Sequence, residues 1–446
     1  MIKRKKREKE RAQTGRLIKC FVVTSLFLMT IMGLTGCAKR EKVITIGMFA
    51  ESNWGVPSGT VYEIMDDAIA RFEKENPGVK VVYTSGIMKE DYSEWLAEQL
   101  LKGTEPDVFV ILSEDFNNLA SLGAMYDLQD FIDKDTDFNP NLYYSAAFQY
   151  GQWKNQQFGL PYESVPTLMF VNKTLLQEEQ IALPETDWTW DDFYRICAAV
   201  TKDTDRNGTI DQFGCYNYTW KNAAYSNGCV LFDETGKECY VNNKQMEEAV
   251  QFVENLQSLT AGYTVSSKDF DLGKVAFQPM PFSEYRTYAP YPWRIKKYMN
   301  FEWGCIPLPA GPSGNNVSEL STQLYGISAR TKEPTLSWKF LKTLTYETEI
   351  QKEIIDYSQG ASPLKKVMNA DETIRKLNED VPGNNNMNIQ MLNDVLNNSS
   401  IAPKFRKYDG AMEVIDEGIA NALQSDNNIR TSLITLQRKV NAYLNN

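Results

Sequence analysis

The stretch VITIGMFAESNWGVPSGTVYEIMDDAIARFEKENPGVKVVYTSGIMKEDYSEWLAEQLLKGTEPDVFVIL, residues 43–112, decides the fold. Three apolar runs of strand length stand in it, Val43–Met48, Val79–Tyr83 and Val108–Leu112, separated by two segments of helical period. The first segment carries Val61, Ile64, Met65, Ala68, Ile69 and Phe72 on one face and stops at Asn76-Pro77-Gly78. The second carries Trp95, Leu96 and Leu100 and stops at Gly103. Strands that are apolar throughout and alternate with helices predict a parallel sheet covered on both faces. Ligands of such sheets bind at the carboxyl ends of strands, so the loops Glu51–Trp54 and Ser113–Asp115 are the first candidate site.

Upstream, basic residues crowd Lys3–Lys19, an apolar segment runs over Phe21–Leu34, and small residues lead into Cys37. The apolar segment is shorter than the ~20 residues of a spanning helix, and the layout is that of a secretory signal over residues 1–36. Removing those residues takes away nine Lys/Arg and two acids, so the net charge falls from −11 to −18 over 410 residues. Such a chain is too long for one core and divides into two lobes by default. Its acidity argues against nucleic acid as a partner.

The sequence contains no histidine. This excludes nucleophiles paired with histidine, histidine general bases and imidazole metal sites. Five cysteines lie beyond Cys37: Cys197, Cys215, Cys229, Cys239 and Cys305. Their odd number leaves a free thiol in the monomer. Cys229 and Cys239 flank a turn signal and suit either a hairpin bridge or buried thiols.

Downstream, QFGLPYESVPTLMFVN at 157–172 brackets Tyr162-Glu163-Ser164 between prolines and restarts an apolar strand at Thr167, as a crossing between lobes would. Thr189-Trp190-Asp191-Asp192 has the form of a capping box opening a helix. Asp203, Asp205, Asn207 and Asp211, with Gly208 at the sixth position, match the first nine positions of a calcium loop, but Gly214 stands where its closing Glu belongs. Asx turns explain the same residues without an ion. Further crossings are expected at Pro309–Asn316 and around Gly360-Ala361-Ser362-Pro363.

The ordered set of LTGC, RFEKENPGVKVVY, GTEPDVFVI, GLPYESVPTLMFVNKTLL, TWDDFYRICAAVTKDTDRNGTIDQFG, LGKVAF, FEWGCIPLPAGPSG, LYGISARTKEPTLSWKFLKTL and QGASPLKKV resembles the extracellular solute-binding proteins of family 1, the sugar-binding lipoproteins of ABC importers. The resemblance covers about residues 42–440. It implies an α/β type II periplasmic-binding-protein fold, with one lobe at 42–162 and 310–355, a second at 163–309 and 356–446, and the ligand in the cleft between them. Leu34-Thr35-Gly36-Cys37 resembles a lipobox, implying a diacylglyceryl group on Cys37. It also implies a monomer on the outer face of the cell membrane, a carbohydrate ligand, ABC permease subunits as partners, no cofactor unless the loop holds structural calcium, and no chemistry on the ligand. A Gram-positive source is the expectation from the lysine-rich, alanine-poor leader.

A sugar site needs groups that hydrogen-bond hydroxyls and flat rings that meet the C–H faces. Strand-end placement and position in the family pattern nominate Glu51, Asn53, Trp54, Ser113, Glu114, Asp115, Tyr162 and Glu163. Tyr218 and Trp220 resemble an aromatic element facing sugar in maltose-binding relatives. Phe282, Glu284 and Tyr285 follow LGKVAF where relatives place a cleft Trp, and Arg406 and Tyr408 come from the last segment over the cleft. For Glu114 and Asp115 the alternative is helix capping, and for Glu163 satisfaction of hinge backbone. A competing enzyme would be a glycosidase working with Glu114 and Glu163 as its carboxylate pair. A third reading keeps the receptor and changes its ligand to a peptide, polyamine or anion.

Overall fold

A computed structural model describes residues 41–56, 60, 62–288, 301–379, 387–425 and 427–446. The leader and Cys37 lie outside the described residues. The strands are β1 (Lys42–Gly47), β2 (Val79–Tyr83), β3 (Val108–Ile111), β4 (Gln152–Trp153), β5 (Gln156–Gln157), β6 (Gly159–Asn172), β7 (Phe213–Cys215), β8 (Val275–Pro281), β9 (Trp303–Ile306) and β10 (Leu320–Ile327).

In the first lobe, β1 lies between β2 and β3, parallel to both, with Ile44 opposite Val81 and Ile46 opposite Val108. The crossover helices are Glu63–Glu75, burying Ile64, Met65, Ala68 and Phe72, and Lys89–Lys102, burying Tyr92 and Leu96. Gly103 closes the second helix in the left-handed region at φ 69°, where a residue without Cβ escapes the steric penalty. All four residues of β3 are buried, as a strand covered on both faces must be. Thus the alternation of strand and helix over 43–112 is realised.

The lobes share one sheet path, β2-β1-β3-β10-β6-β8-β7, with β9 also on β6. The pivot is β6. Its first half pairs antiparallel with β10, from Gly159 opposite Gly326 to Pro166 opposite Leu320. Its second half, from Thr167, pairs with β8 and β9 in the second lobe. The expected break at the two prolines is therefore corrected to one continuous strand. Pro161 sits where the register with β10 shifts between Gln323 and Leu324, and Pro166 sits where β6 exchanges one partner for others. A residue without an N–H is tolerated at such interruptions of the ladder.

The crossing expected at Pro309–Asn316 also moves. Ala310 N–H donates to Trp188 O at 3.0 Å, Gly311 N–H to Ser226 O at 2.9 Å, and the Asn316 amide to Trp188 O at 2.8 Å. These bonds hold the segment on the second lobe, and β10 itself makes the return. A Cβ on Gly314 would lie 2.1 Å from Ser226 O, so the close approach needs glycine. At the third crossing Ser164 and Ala361 exchange backbone hydrogen bonds at 2.9 and 2.8 Å.

The second lobe is built on aromatic packing. The Thr189 side chain accepts from Asp192 N, the Asp192 carboxylate accepts from Thr189 N, and the capping box opens the helix Trp190–Val200. Trp190 stacks on Phe252 with centroids 4.3 Å apart, and Phe193 meets Phe277 edge-on at 5.4 Å. The five cysteines beyond Cys37 are free thiols. Phe232 pairs with Cys239 across the predicted turn, without a bridge to Cys229.

Candidate functional site

The nominated residues divide among three places. At the end of β1, Glu51 accepts from Lys89 N–H at 3.2 Å and the Asn53 carbonyl accepts from the Lys89 ammonium. Ser52 Oγ donates to Gln359 at 3.0 Å, which ties this loop to the third crossing. Glu51, Asn53, Tyr162 and Glu163 line one cavity of about 40 Å³, room for little more than water. Glu163 is 2% exposed. Its Oε1 accepts from Ser358 Oγ at 2.6 Å and from Gly360 N–H, and burial pushes its carboxyl above the usual range. It thus satisfies the backbone of the crossing, and its burial leaves the pairing with exposed Glu114 as a glycosidase dyad without support. Trp54 packs beside it, with its indole N–H buried.

At the end of β3 a helix, Ser113–Ser121, begins at once, so Ser113–Asp115 is a first helical turn and not a loop. Acidic side chains are favoured there by the helix dipole. Ser113 and Glu114 are exposed and joined by a 3.1 Å hydrogen bond. Asp115 turns inward, accepts from Ser93 Oγ at 2.5 Å, and is pushed up by burial.

The third place is a groove of about 1100 Å³. One wall is the hairpin β4–β5, with Trp153 and Lys154; the other is formed by segments around Tyr225–Lys237 and Ser400–Tyr408. Phe232, Phe405 and Tyr408 form a cluster of edge-on rings with centroids 5.1–5.8 Å apart. Tyr225 OH donates to Glu319 at 3.2 Å, and burial pushes the Glu319 carboxyl up. Lys404 places its ammonium 3.7 Å from the Tyr150 ring centroid and 5.2 Å from that of Phe116, joining the second wall to the first. Burial brings the Lys404 pKa down to about 8, against the opposing pull of Asp409 and Glu319. The nominees Arg406 and Tyr408 line this groove.

Four other nominees point into the second lobe. Tyr218 is 6% exposed, packs edge-on against Phe193 at 5.0 Å, and accepts from the Trp190 indole N–H at 3.1 Å. Trp220 is the first residue of a helix capped by Thr219 and Asn222; it is buried and donates its indole N–H to Asp416 at 2.9 Å. Phe282 and Tyr285 stack on each other at 5.5 Å, and Tyr285 meets Trp303 edge-on. These four positions are corrected from cleft to core: the helices that begin at Trp220 and Phe282 turn Trp220, Phe282 and Tyr285 inward, and Tyr218 is held by Phe193 and Trp190. Glu284 lies on the latter helix, Phe282–Tyr288, and is half-buried. The groove residues passed over in sequence, Trp153, Tyr225, Phe405 and Lys404, carried one usable signal, the alternation of basic and aromatic residues in Lys404-Phe405-Arg406.

In the acidic loop, Asp203 accepts from Gly208 N–H at 2.6 Å and Asn207 N–H at 3.2 Å, Asp205 accepts from Asn207 N–H at 3.1 Å, and Asn207 Oδ1 accepts from Thr209 N–H at 2.8 Å. Asp211 accepts from Thr204 N–H at 2.8 Å. Among the described residues, no three acidic or cysteine side chains gather as a metal site. The loop reads as a ladder of Asx turns.

The fold is that of known binding proteins. It matches the cyclic α-maltosyl-1,6-maltose binding protein of Arthrobacter globiformis with a TM-score of 0.74 at 16% identity, covering 90% of this chain and 98% of that one. It matches the sugar-binding protein MalE of Xanthomonas citri with a TM-score of 0.73 at 17% identity, covering 91% and 98%. By sequence it is 23% identical over 302 residues to a galactooligosaccharide-binding protein of Bacillus subtilis (strain 168), a match over 63% of this chain that spans 65% of that relative's length. The family profile of bacterial extracellular solute-binding proteins matches residues 57–348, and to that family this chain belongs.

Proposed function

We propose that the chain is the substrate-binding lipoprotein of an ABC importer, capturing a sugar or oligosaccharide between its lobes and presenting it to the permease without chemical change. The observation that carries this reading is the groove of about 1100 Å³, in which aromatic rings alternate with polar and charged groups. Few convergent polar groups among apolar rings is the composition of a small-molecule site, and rings with C–H-rich faces opposite them suit sugars. The galactooligosaccharide-binding relative and the maltose-related neighbours point to the same class of ligand. Of the nominated residues, Ser113, Glu114, Arg406 and Tyr408 remain the proposed ligand contacts, joined by Trp153, Tyr225, Phe405 and Lys404. Glu51 and Asn53 set the loop above β1.

Movement would turn about β6, β10 and the segment around Ala361. A ligand touching both walls shifts an existing balance of open and closed forms by its preference for the closed one. Anchoring through a lipid on Cys37, outside the membrane of a Gram-positive cell, completes the reading. Thermal shift and calorimetry against a carbohydrate panel test it: a ligand at 100 times its Kd adds about 2.7 kcal/mol of stability. If no mono- or oligosaccharide raises the melting temperature, the sugar assignment fails. An oligosaccharide that is cleaved on incubation would instead make the chain an enzyme.

A further inference from the structure

Four cationic side chains line the groove, Lys154, Lys237, Lys404 and Arg406, against one carboxylate, Glu234. This basic lining belongs to a chain whose net charge is −11. None of the four cations forms an ion pair among the described residues. Lys202, Lys221, Arg330 and Lys342, by contrast, each hold a carboxylate at 2.6–2.8 Å. The lining of the groove therefore carries more positive than negative side chains, while Asp409 and Glu319 act on Lys404 from outside that lining.

Lys404 is the most telling of the four. It is half-buried, and its ammonium lies against the rings of Tyr150 and Phe116, with no hydrogen-bond acceptor among the described residues. The opposing charges that act on it are those of Asp409 and Glu319, and Glu319 also accepts from Tyr225. An ammonium drawn out of water without an acceptor is costly, and a ligand anion would relieve that cost. Arg406, two residues on, offers a planar fork that matches a carboxylate. Against a net negative chain, a local basic groove also draws an anion toward one place on the surface.

Resting on the reading of this groove as a carbohydrate site, we infer that its ligand is an acidic oligosaccharide, one carrying carboxylates on its sugar rings. A ring carboxylate meets Lys404 and Arg406, while the faces of neighbouring rings lie on Trp153, Phe405 and Tyr408. A neutral oligosaccharide of the same length finds the rings but leaves the cations unpaired.

The test is calorimetry on the mature chain with matched trisaccharides: galacturonate, glucuronate and mannuronate trimers beside galactose, glucose and mannose trimers, at low and at high sodium chloride. At least one uronate trimer is expected to bind tenfold or more tighter than its neutral counterpart, a difference of about 1.4 kcal/mol, with the advantage shrinking as salt rises. Lys404→Met and Arg406→Gln, each checked for an unchanged melting temperature, are expected to narrow the gap between acidic and neutral trimers about tenfold. Neutral trimers binding as tightly as uronates, or a uronate preference untouched by salt or by both substitutions, would overturn the acidic assignment and leave the carbohydrate reading standing. Binding of no trimer at all would overturn the acidic assignment, and the carbohydrate reading falls with it only if the full mono- and oligosaccharide panel also fails to bind.

Discussion

Glu163 joins the first and third crossings, so its removal should weaken the place where the lobes are held together. In Glu163→Ala two donors, Ser358 Oγ and Gly360 N–H, lose their acceptor. Each donor left unsatisfied costs about 1–3 kcal/mol, and the one lost methylene adds roughly 0.8 kcal/mol. Against this stands the relief of a carboxylate that burial already disfavours. The expected net loss is about 3 kcal/mol. Glu163→Gln keeps an oxygen at Oε1 and is expected to cost about 1 kcal/mol. Urea unfolding followed in parallel by tryptophan fluorescence and circular dichroism measures both, with an unchanged m-value as the condition for comparing them. The reasoning is refuted if Glu163→Ala stays within about 1 kcal/mol of the parent, or if Glu163→Gln is as damaging as Glu163→Ala.

Three further outcomes are expected. Thr189→Ala removes one half of the capping box on the helix Trp190–Val200 and should cost about 1 kcal/mol in the same assay, whereas Thr189→Ser should recover most of it. Calcium added to chelator-treated protein should leave the melting temperature within about 1 °C, because Asp203 and Asp205 are engaged with backbone N–H groups; a shift of several degrees would establish an ion site. Burial, with Asp67 and Asp356 nearby and Arg71 opposing, pushes Glu353 from 4.5 to about 7. The folded protein then binds this proton more tightly than the unfolded chain, so stability falls as pH rises between those values. Glu353→Gln should flatten that fall by on the order of 1 kcal/mol or less, since the group is partly screened by water. An unchanged pH profile of the melting temperature would count against this assignment.

The fold was largely legible because its signals were local. Continuous apolar runs and helical stripes placed β1 to β3 and their helices, and Thr189 with Asp192 marked a helix start that the structure reproduces bond for bond. What escaped were features fixed at long range. Pro161 and Pro166 argue locally for a break in β6, but the ladder they interrupt is made by β10 and β8, remote in sequence. Gly311 and Gly314 read as a loose crossing, yet their lack of side chains is what lets the segment press on Ser226 and Asn227. For the groove, type was legible and direction was not. Tyr218 and Trp220 have the chemistry of sugar contacts, but the Thr219 cap starts the helix that carries Trp220 inward, and Tyr218, just before the cap, packs on Phe193. Lys404 looks like any surface lysine until Tyr150 and Phe116 are seen beneath it.

The strand order has a consequence for how the chain is made. Tyr325 of β10 lies between Val110 of β3 and Leu160 of β6, so the first sheet has a gap until a strand synthesised about two hundred residues after β3 arrives. The amino-terminal lobe therefore cannot finish folding as it leaves the ribosome. Late arrival of the central strand leaves the emerging chain without a closed sheet until nearly three quarters of it has been synthesised.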